Sequence, residues 1–283
     1  MSGPVDKADI RKPAVSSTED SAPYVNLTWT NASTVVTASG NTSWPNMALQ
    51  SNASVTSSIL DVPAGSNYVT NVFGNSDIDG MMDLSSLTGT YKCWFYATKI
   101  YRDVIITPMT TNERLFQYGD QGSNAGGVGG IVARINNPAK TVTFTAHTPY
   151  VTGETGAQNL HDPQATTTTT MDSNVAGTSI FMVIDNSVSP WQARIYIDGV
   201  LQVSDECPAH PTDGSRTLPG ISTAQADNSQ GMSIMSQSDG STNPLKDSSL
   251  YPIWIGKATN TAHAAALAVA HHADPLTNPY PRA

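Results

Sequence analysis

The residues best suited to hold an ion are Asn75-Ser-Asp77-Ile-Asp79-Gly80, followed by Asp83, where oxygen ligands alternate and a glycine stands sixth. That spacing lets a short loop wrap one Ca²⁺. Position twelve is Ser86 instead of the bidentate Glu of a helix-loop-helix site, so the segment reads as a plain turn or as a calcium loop of another kind, with Asn75, Asp77, Asp79 and Asp83 as ligands. His263, His271 and His272 are a weaker metal set, because adjacent histidines on a strand point to opposite faces. Cys93 and Cys207 lie far apart without CxxC spacing, and they read as two unpaired thiols, Cys93 packing beside Trp94. There is no Gly-x-Ser-x-Gly elbow, and GGVGG at 126–130 lacks the Lys-Ser/Thr of a phosphate loop. Aromatic rings near turns stack on sugars, which makes Trp191, Tyr150 and Tyr251 the candidate glycan or partner contacts. Trp29 and Trp44 lie near turns as well.

The elements that must carry these residues are strands. About a fifth of the 283 residues are Ser or Thr, and Glu occurs only at 19, 113, 154 and 206, so the composition of long helices is missing. Fourteen Lys and Arg against 23 acids, with no basic run, remove the electrostatic basis for gripping a phosphate backbone, so no nucleic-acid partner is expected. No apolar run approaches the length of a membrane span, and the first residues lack the apolar core of a secretory signal. The Asn-x-Ser/Thr sequons at Asn26, Asn31, Asn41 and Asn52 therefore read as chance products of an Asn/Ser/Thr-rich segment, in a chain made in the cytoplasm.

Residues 1–24 carry seven charges and three prolines with few large apolar side chains, an extended N-terminal arm. From Tyr24 onward, short β-branched and aromatic runs alternate with Gly, Pro, Asn and Asp clusters, the pattern of a sandwich or barrel. The clearest runs include 91–98, 103–107, 114–118, 130–135, 141–146, 178–185, 192–197, 200–204 and 253–256. Asp198-Gly199 should close a hairpin with Ile197 facing Val200 and Tyr196 facing Leu201. Residues 148–177 read as a long loop or edge ribbon, and 205–249 as a second excursion. TAHAAALAVAHHAD at 261–274 is the one candidate helix, although ALAVAHH could equally be a last strand.

The order of GTYKCWFYAT (89–98), RLFQYGDQGSNAGGVGGIVARI (114–135), KTVTFTAH (140–147), GTSIFMVID (177–185), ARIYIDGVLQVSD (193–205), LYPIWIGKA (250–258) and AALAVAHHADPLT (265–277) resembles the laminin G-like or concanavalin A-like jelly roll, a domain found in bacteriophage structural proteins. The resemblance implies an all-β, two-sheet antiparallel jelly-roll sandwich over 25–277, with a C-terminal tail at 278–283. It also implies Trp94, Phe181, Ile195, Ile197 and Ile255 in the core, and a final strand in place of the helix. Laminarinase-type members carry ExDxxE, which the four glutamates cannot write, and lyases use Gln-x-His and Tyr-x-Lys strings that Arg134, His147 and Tyr196 do not form. A non-enzymatic protein is therefore expected. The favoured reading is a virion structural protein, a bacteriophage capsid decoration or tail appendage, homo-oligomeric (a trimer) and bound to other virion proteins through its arms. The alternative is a lectin-like carbohydrate-binding module.

Overall fold

The computed structural model describes residues 22–29, 36–40, 48–50, 54–56, 59–62, 68–70, 81–102, 112–118, 130–147, 163–171, 174–209, 218, 232–235, 245 and 248–276. Asn75, Asp77, Asp79, Tyr150, the 103–107 run, the first 21 residues and the last seven lie outside them. Among the described residues seventeen strands form two sheets in which every pairing is antiparallel. The strands that matter below are β7 (Cys93–Arg102), β8 (Glu113–Tyr118), β9 (Gly130–Ile135), β10 (Thr141–His147), β11 (Gln164–Thr170), β12 (Asn174–Asp185), β13 (Gln192–Ile197), β14 (Val200–Glu206), β15 (Met232–Ile234), β16 (Ser248–Leu250) and β17 (Ile253–Ala258). The smaller sheet runs β11-β10-β9-β8-β15 and continues through two short strands, Tyr68–Thr70 and Ala48–Gln50. The larger sheet centres on β7, which pairs with β12 on one side and with both β16 and β17 on the other.

Period-two alternation decides what each strand buries. Trp94, Tyr96, Ile180, Met182, Ile195, Ile197 and Ile255 point between the sheets and meet Phe116, Phe144 and Ile131 from the smaller one. Trp94 stacks with Phe116 and Phe144, both at 6.4 Å between centroids. Odd-numbered neighbours on the other face, Cys93, Phe95, Ala97, Phe181 and Val183, form a second apolar cluster. Phe181 is therefore buried as expected but belongs to this outer layer and not to the inter-sheet core.

A helix, α1 (Thr261–Ala273), covers that second cluster. The expectation of a final strand is corrected here. Asn260 caps the helix, its Oδ1 accepting from the His263 backbone N–H at 3.0 Å, and the alanine run favours helix locally. Ala264, Leu267 and Ala268 lie on the sheet. Small residues let the helix approach the aromatic face of the sheet closely. At Gly256 an added Cβ would lie 2.8 Å from Phe95 and 2.9 Å from the Pro23 carbonyl.

The hairpin forms as expected, Tyr196 opposite Leu201 and Ile197 opposite Val200. Asp198 (φ 50°) and Gly199 (φ 79°) both take the left-handed conformation of a type I′ turn. The threonines at 166–170 form the edge strand β11. The 205–249 segment is more than an excursion, since it contributes β15 to the interior of the smaller sheet.

Candidate functional site

β7 changes partner along one edge: Ile100–Arg102 pairs with β16, and Cys93–Ala97 pairs with β17. Tyr251 and Pro252 fill the gap between the two partners, so Tyr251 stands where the larger sheet forks. Its backbone is held on every side. The Tyr251 N–H donates to the Lys99 carbonyl at 2.9 Å, and its own carbonyl accepts from the Trp29 indole and the Thr98 hydroxyl, each at 3.1 Å.

This backbone fixation presents the side chain to the outer face of the sheet, beside Lys99 and Tyr101. The Tyr101 and Tyr251 rings stack at 5.3 Å with 30° between planes, and their hydroxyls are 3.1 Å apart. Lys99 Nζ lies 5.6 Å from one ring centroid and 5.8 Å from the other, within cation–π range. All three residues are half-buried. The hydrogen bond with Tyr101, reinforced by burial, pushes the Tyr251 phenol up to about 12, so it stays protonated at neutral pH. Gly177 supports the cluster from β12 with φ +76°; a Cβ there would meet Lys99 Cε and Tyr101 Cζ at 2.8 Å. The result is a pre-formed aromatic platform that carries two phenol hydroxyls and the Lys99 amine at its surface.

Next to it the polar contacts hold α1 down. Ser179 Oγ and His271 Nδ1 are 2.7 Å apart, and the His271 ring meets Trp254 edge-on at 4.5 Å. His271 is fully buried and His263 nearly so, whereas His272 lies at the surface, 3.4 Å from Asp198. Burial, with smaller contributions from His272 and Lys99, pushes His271 down to about 3. Among the described residues no group of three His, Cys, Asp or Glu is placed to hold a metal.

Of the residues singled out from the sequence, Tyr251 is in this platform. Trp191 is not available to a sugar: it is 3% exposed and packed in the inter-sheet core, so its reading as a glycan contact is corrected. Asp83, the one calcium candidate within the described residues, caps a 3₁₀ turn at Leu84–Ser86, its Oδ1 accepting from Ser85 N at 3.0 Å and Ser85 Oγ at 2.6 Å. Arg134 and His147 sit on the smaller sheet and Tyr196 on the larger one, under the helix cluster, so the three do not converge. Cys93 and Cys207 are both buried as thiols and are not joined in a disulfide. Lys99 and Tyr101 were missed as site residues because they fall between the 91–98 and 103–107 runs read from the sequence; β7 continues through them to Arg102, and the fork of the sheet brings Tyr251 beside them.

No family model matches the chain, and no curated protein matches its sequence. Its fold is similar to that of solved structures. A crystal structure of an HCR/D mutant shares 8% identity over 89% of this chain and 51% of its own, with a TM-score of 0.52. Trypanosoma rangeli sialidase in complex with sialic acid shares 10% over 90% of this chain and 33% of its own, at 0.50. A structure reporting that cell entry of botulinum neurotoxin type C depends on two ganglioside molecules shares 9% over 84% and 47%, at 0.45. The likeness is one of fold: an all-β sandwich, consistent with the concanavalin A-like kind. This chain spans about half the length of the HCR/D chain and a third of the sialidase.

The sialidase overturns one expectation. That no linear catalytic motif can be written points to a non-enzymatic protein, yet a similar sandwich occurs within the chain of an enzyme. Catalytic groups converge from separate strands, so a missing motif on one strand does not exclude them.

Proposed function

We propose that the protein binds carbohydrate through the Lys99–Tyr101–Tyr251 platform. The observation that carries this reading is the stacked, half-buried tyrosine pair held rigidly at the fork of the larger sheet, with a cation over both rings. Rigid aromatic surface costs little ordering on binding, and the phenol hydroxyls and the lysine amine supply directional hydrogen bonds. Support also comes from the occurrence of a similar fold in a sialidase in complex with sialic acid.

The test is a glycan-array screen followed by calorimetric titration of the best hit. Tyr251→Ala and Tyr101→Ala are each expected to weaken binding at least tenfold, and Tyr251→Phe by less, since it keeps the ring. Unchanged affinity in both alanine variants would sink the assignment.

A second reading rests on sequence features: a Ser/Thr/Asn-rich chain with Pro-containing segments at both ends fits a virion protein that assembles, as a trimer, through its arms. Removing residues 1–21 should then abolish incorporation into particles; retained incorporation would refute it.

A further inference from the structure

The outer face of the smaller sheet, on the opposite side of the sandwich from the tyrosine platform, carries an arrangement that the platform does not use. Arg114 on β8 and Arg134 on β9 are direct cross-strand partners, which places both side chains on one face. Ile131, Ala133 and Ile135 point into the inter-sheet core, so Arg134, and Arg114 opposite it, point away from that core. Arg114 is only 4% exposed, and its Nε and Nη1 are buried without a hydrogen-bond partner. Burial and the neighbouring Arg134 charge push the Arg114 guanidinium down, to about 10, and burial pushes Arg134 in the same direction. Among the described residues neither guanidinium meets a carboxylate.

The surroundings fix one arginine and leave the other waiting. Arg134 Nε donates to Asn136 Oδ1 at 3.0 Å. Asn136 in turn donates to Thr141 Oγ1 at 3.1 Å and to Thr143 Oγ1 at 2.5 Å, and the Thr143 and Thr166 hydroxyls are hydrogen-bonded to each other at 2.9 Å. A chain of hydroxyls and one amide thus orients Arg134 across three strands. Register places Glu113, the sequence neighbour of Arg114, opposite Ile135, on the other face from the arginine pair. Two opposed guanidinium groups, one with two desolvated donors, repel each other and are costly to bury. An oxyanion between them would remove both penalties, because paired planar forks match a carboxylate.

We propose that Arg114 and Arg134 form a carboxylate-binding site, independent of the tyrosine platform, for an acidic saccharide of the uronic-acid type. The hydroxyl-rich flank of Thr143, Thr166 and Asn136 suits a ligand that carries its own hydroxyls beside the acid group.

Calorimetric titration of the full chain with sodium glucuronate, glucose and sodium acetate tests this, alongside the Arg114→Met and Tyr251→Ala variants. Glucuronate is expected to bind and glucose to bind at least tenfold more weakly; Arg114→Met should lose glucuronate binding at least tenfold, while Tyr251→Ala keeps it. Acetate binding as tightly as glucuronate would overturn the saccharide assignment. The melting temperature separates a ligand site from a structural role: Arg114→Met removes a buried unpaired charge and should melt no lower than the parent. A variant that melts lower, or one that still binds glucuronate as the parent does, overturns the proposal. Failure of the tyrosine platform would show instead as unchanged neutral-glycan affinity in Tyr251→Ala.

Discussion

Asp185 gives the sharpest test of how the outer layer is held, because its carboxylate is fully buried at the end of β12 and ties four elements together. Oδ1 accepts from Ser187 Oγ at 2.6 Å, from Ser187 N at 2.9 Å and from Cys93 Sγ at 3.3 Å. Oδ2 accepts from Thr261 Oγ1, at the start of α1, at 2.6 Å and lies 3.0 Å from Arg194 Nε. Burial raises the pKa of this carboxyl, and the hydrogen bonds from Ser187, Thr261 and Cys93 more than offset it, so the net direction is down. Replacing Asp185 by Ala strands a nearly buried Arg194 and strips the anchor from the helix start. Breaking such a pair costs about 3–5 kcal/mol, and Arg194 Nε makes ion contact without hydrogen-bond alignment, which favours the lower end. Against a total stability of roughly 5–15 kcal/mol, that loss is visible in a urea titration at pH 7. Since the folded pKa lies below the ordinary 3.8, Asp185 stabilises above that value, and its contribution fades as pH falls through the lower folded value. The difference between the parent and Asp185→Ala should therefore shrink in strong acid. A loss below about 1 kcal/mol at pH 7 would refute this account of the anchor.

His271 predicts acid sensitivity in a higher window. Its folded pKa is lowered, so it stabilises above the unfolded value of 6.5, and that contribution falls as pH drops from 6.5 towards about 3. At two pH units below 6.5 the loss should reach about 2–3 kcal/mol, and circular dichroism of His271→Gln should show a flatter stability profile between pH 6.5 and 4.5. Gly177→Ala forces a side chain into the left-handed region and against Lys99 and Tyr101; about 1–2 kcal/mol of stability and the glycan affinity should fall together in melting and titration experiments. Phe95→Ala, at the centre of the helix-covered cluster and 4.9 Å from the Phe181 ring centroid, should cost about 3–5 kcal/mol by chemical denaturation. Calcium at Asn75, Asp77, Asp79 and Asp83 is a proposal from the sequence. Its expected mark is a melting temperature that rises with added Ca²⁺ and falls again with EDTA, worth about 2.7 kcal/mol at a hundredfold excess over Kd; a melting curve indifferent to both would remove it.

The all-β class, the Asp198-Gly199 hairpin with its register, and the burial of Trp94, Ile195, Ile197 and Ile255 were legible in the sequence, because each follows from local rules. Strand periodicity and turn chemistry act over a few residues, and a reader can apply them without knowing what lies opposite. What covers the second face of β7 and β12 could not be read that way. YKCWFYAT alternates large side chains on both faces, and only the docking of α1 explains why Phe95 and Phe181 are buried outside the inter-sheet core. The helix itself was locally ambiguous, its alanines compatible with strand or helix until the Asn260 cap and the aromatic sheet beneath it chose. The two candidate sites depend on pairing still more strongly. Tyr101 and Tyr251 are 150 positions apart, and they meet only because β7 changes partner between β16 and β17. Arg114 and Arg134 are ordinary charged residues in sequence, and become an opposed, desolvated pair only through the β8–β9 register. The sequence by itself determined which segments are strands and which side chains are apolar enough to be buried. The tertiary structure decided which polar side chains share a face, because that is set by long-range register and layer stacking, interactions that no local window contains.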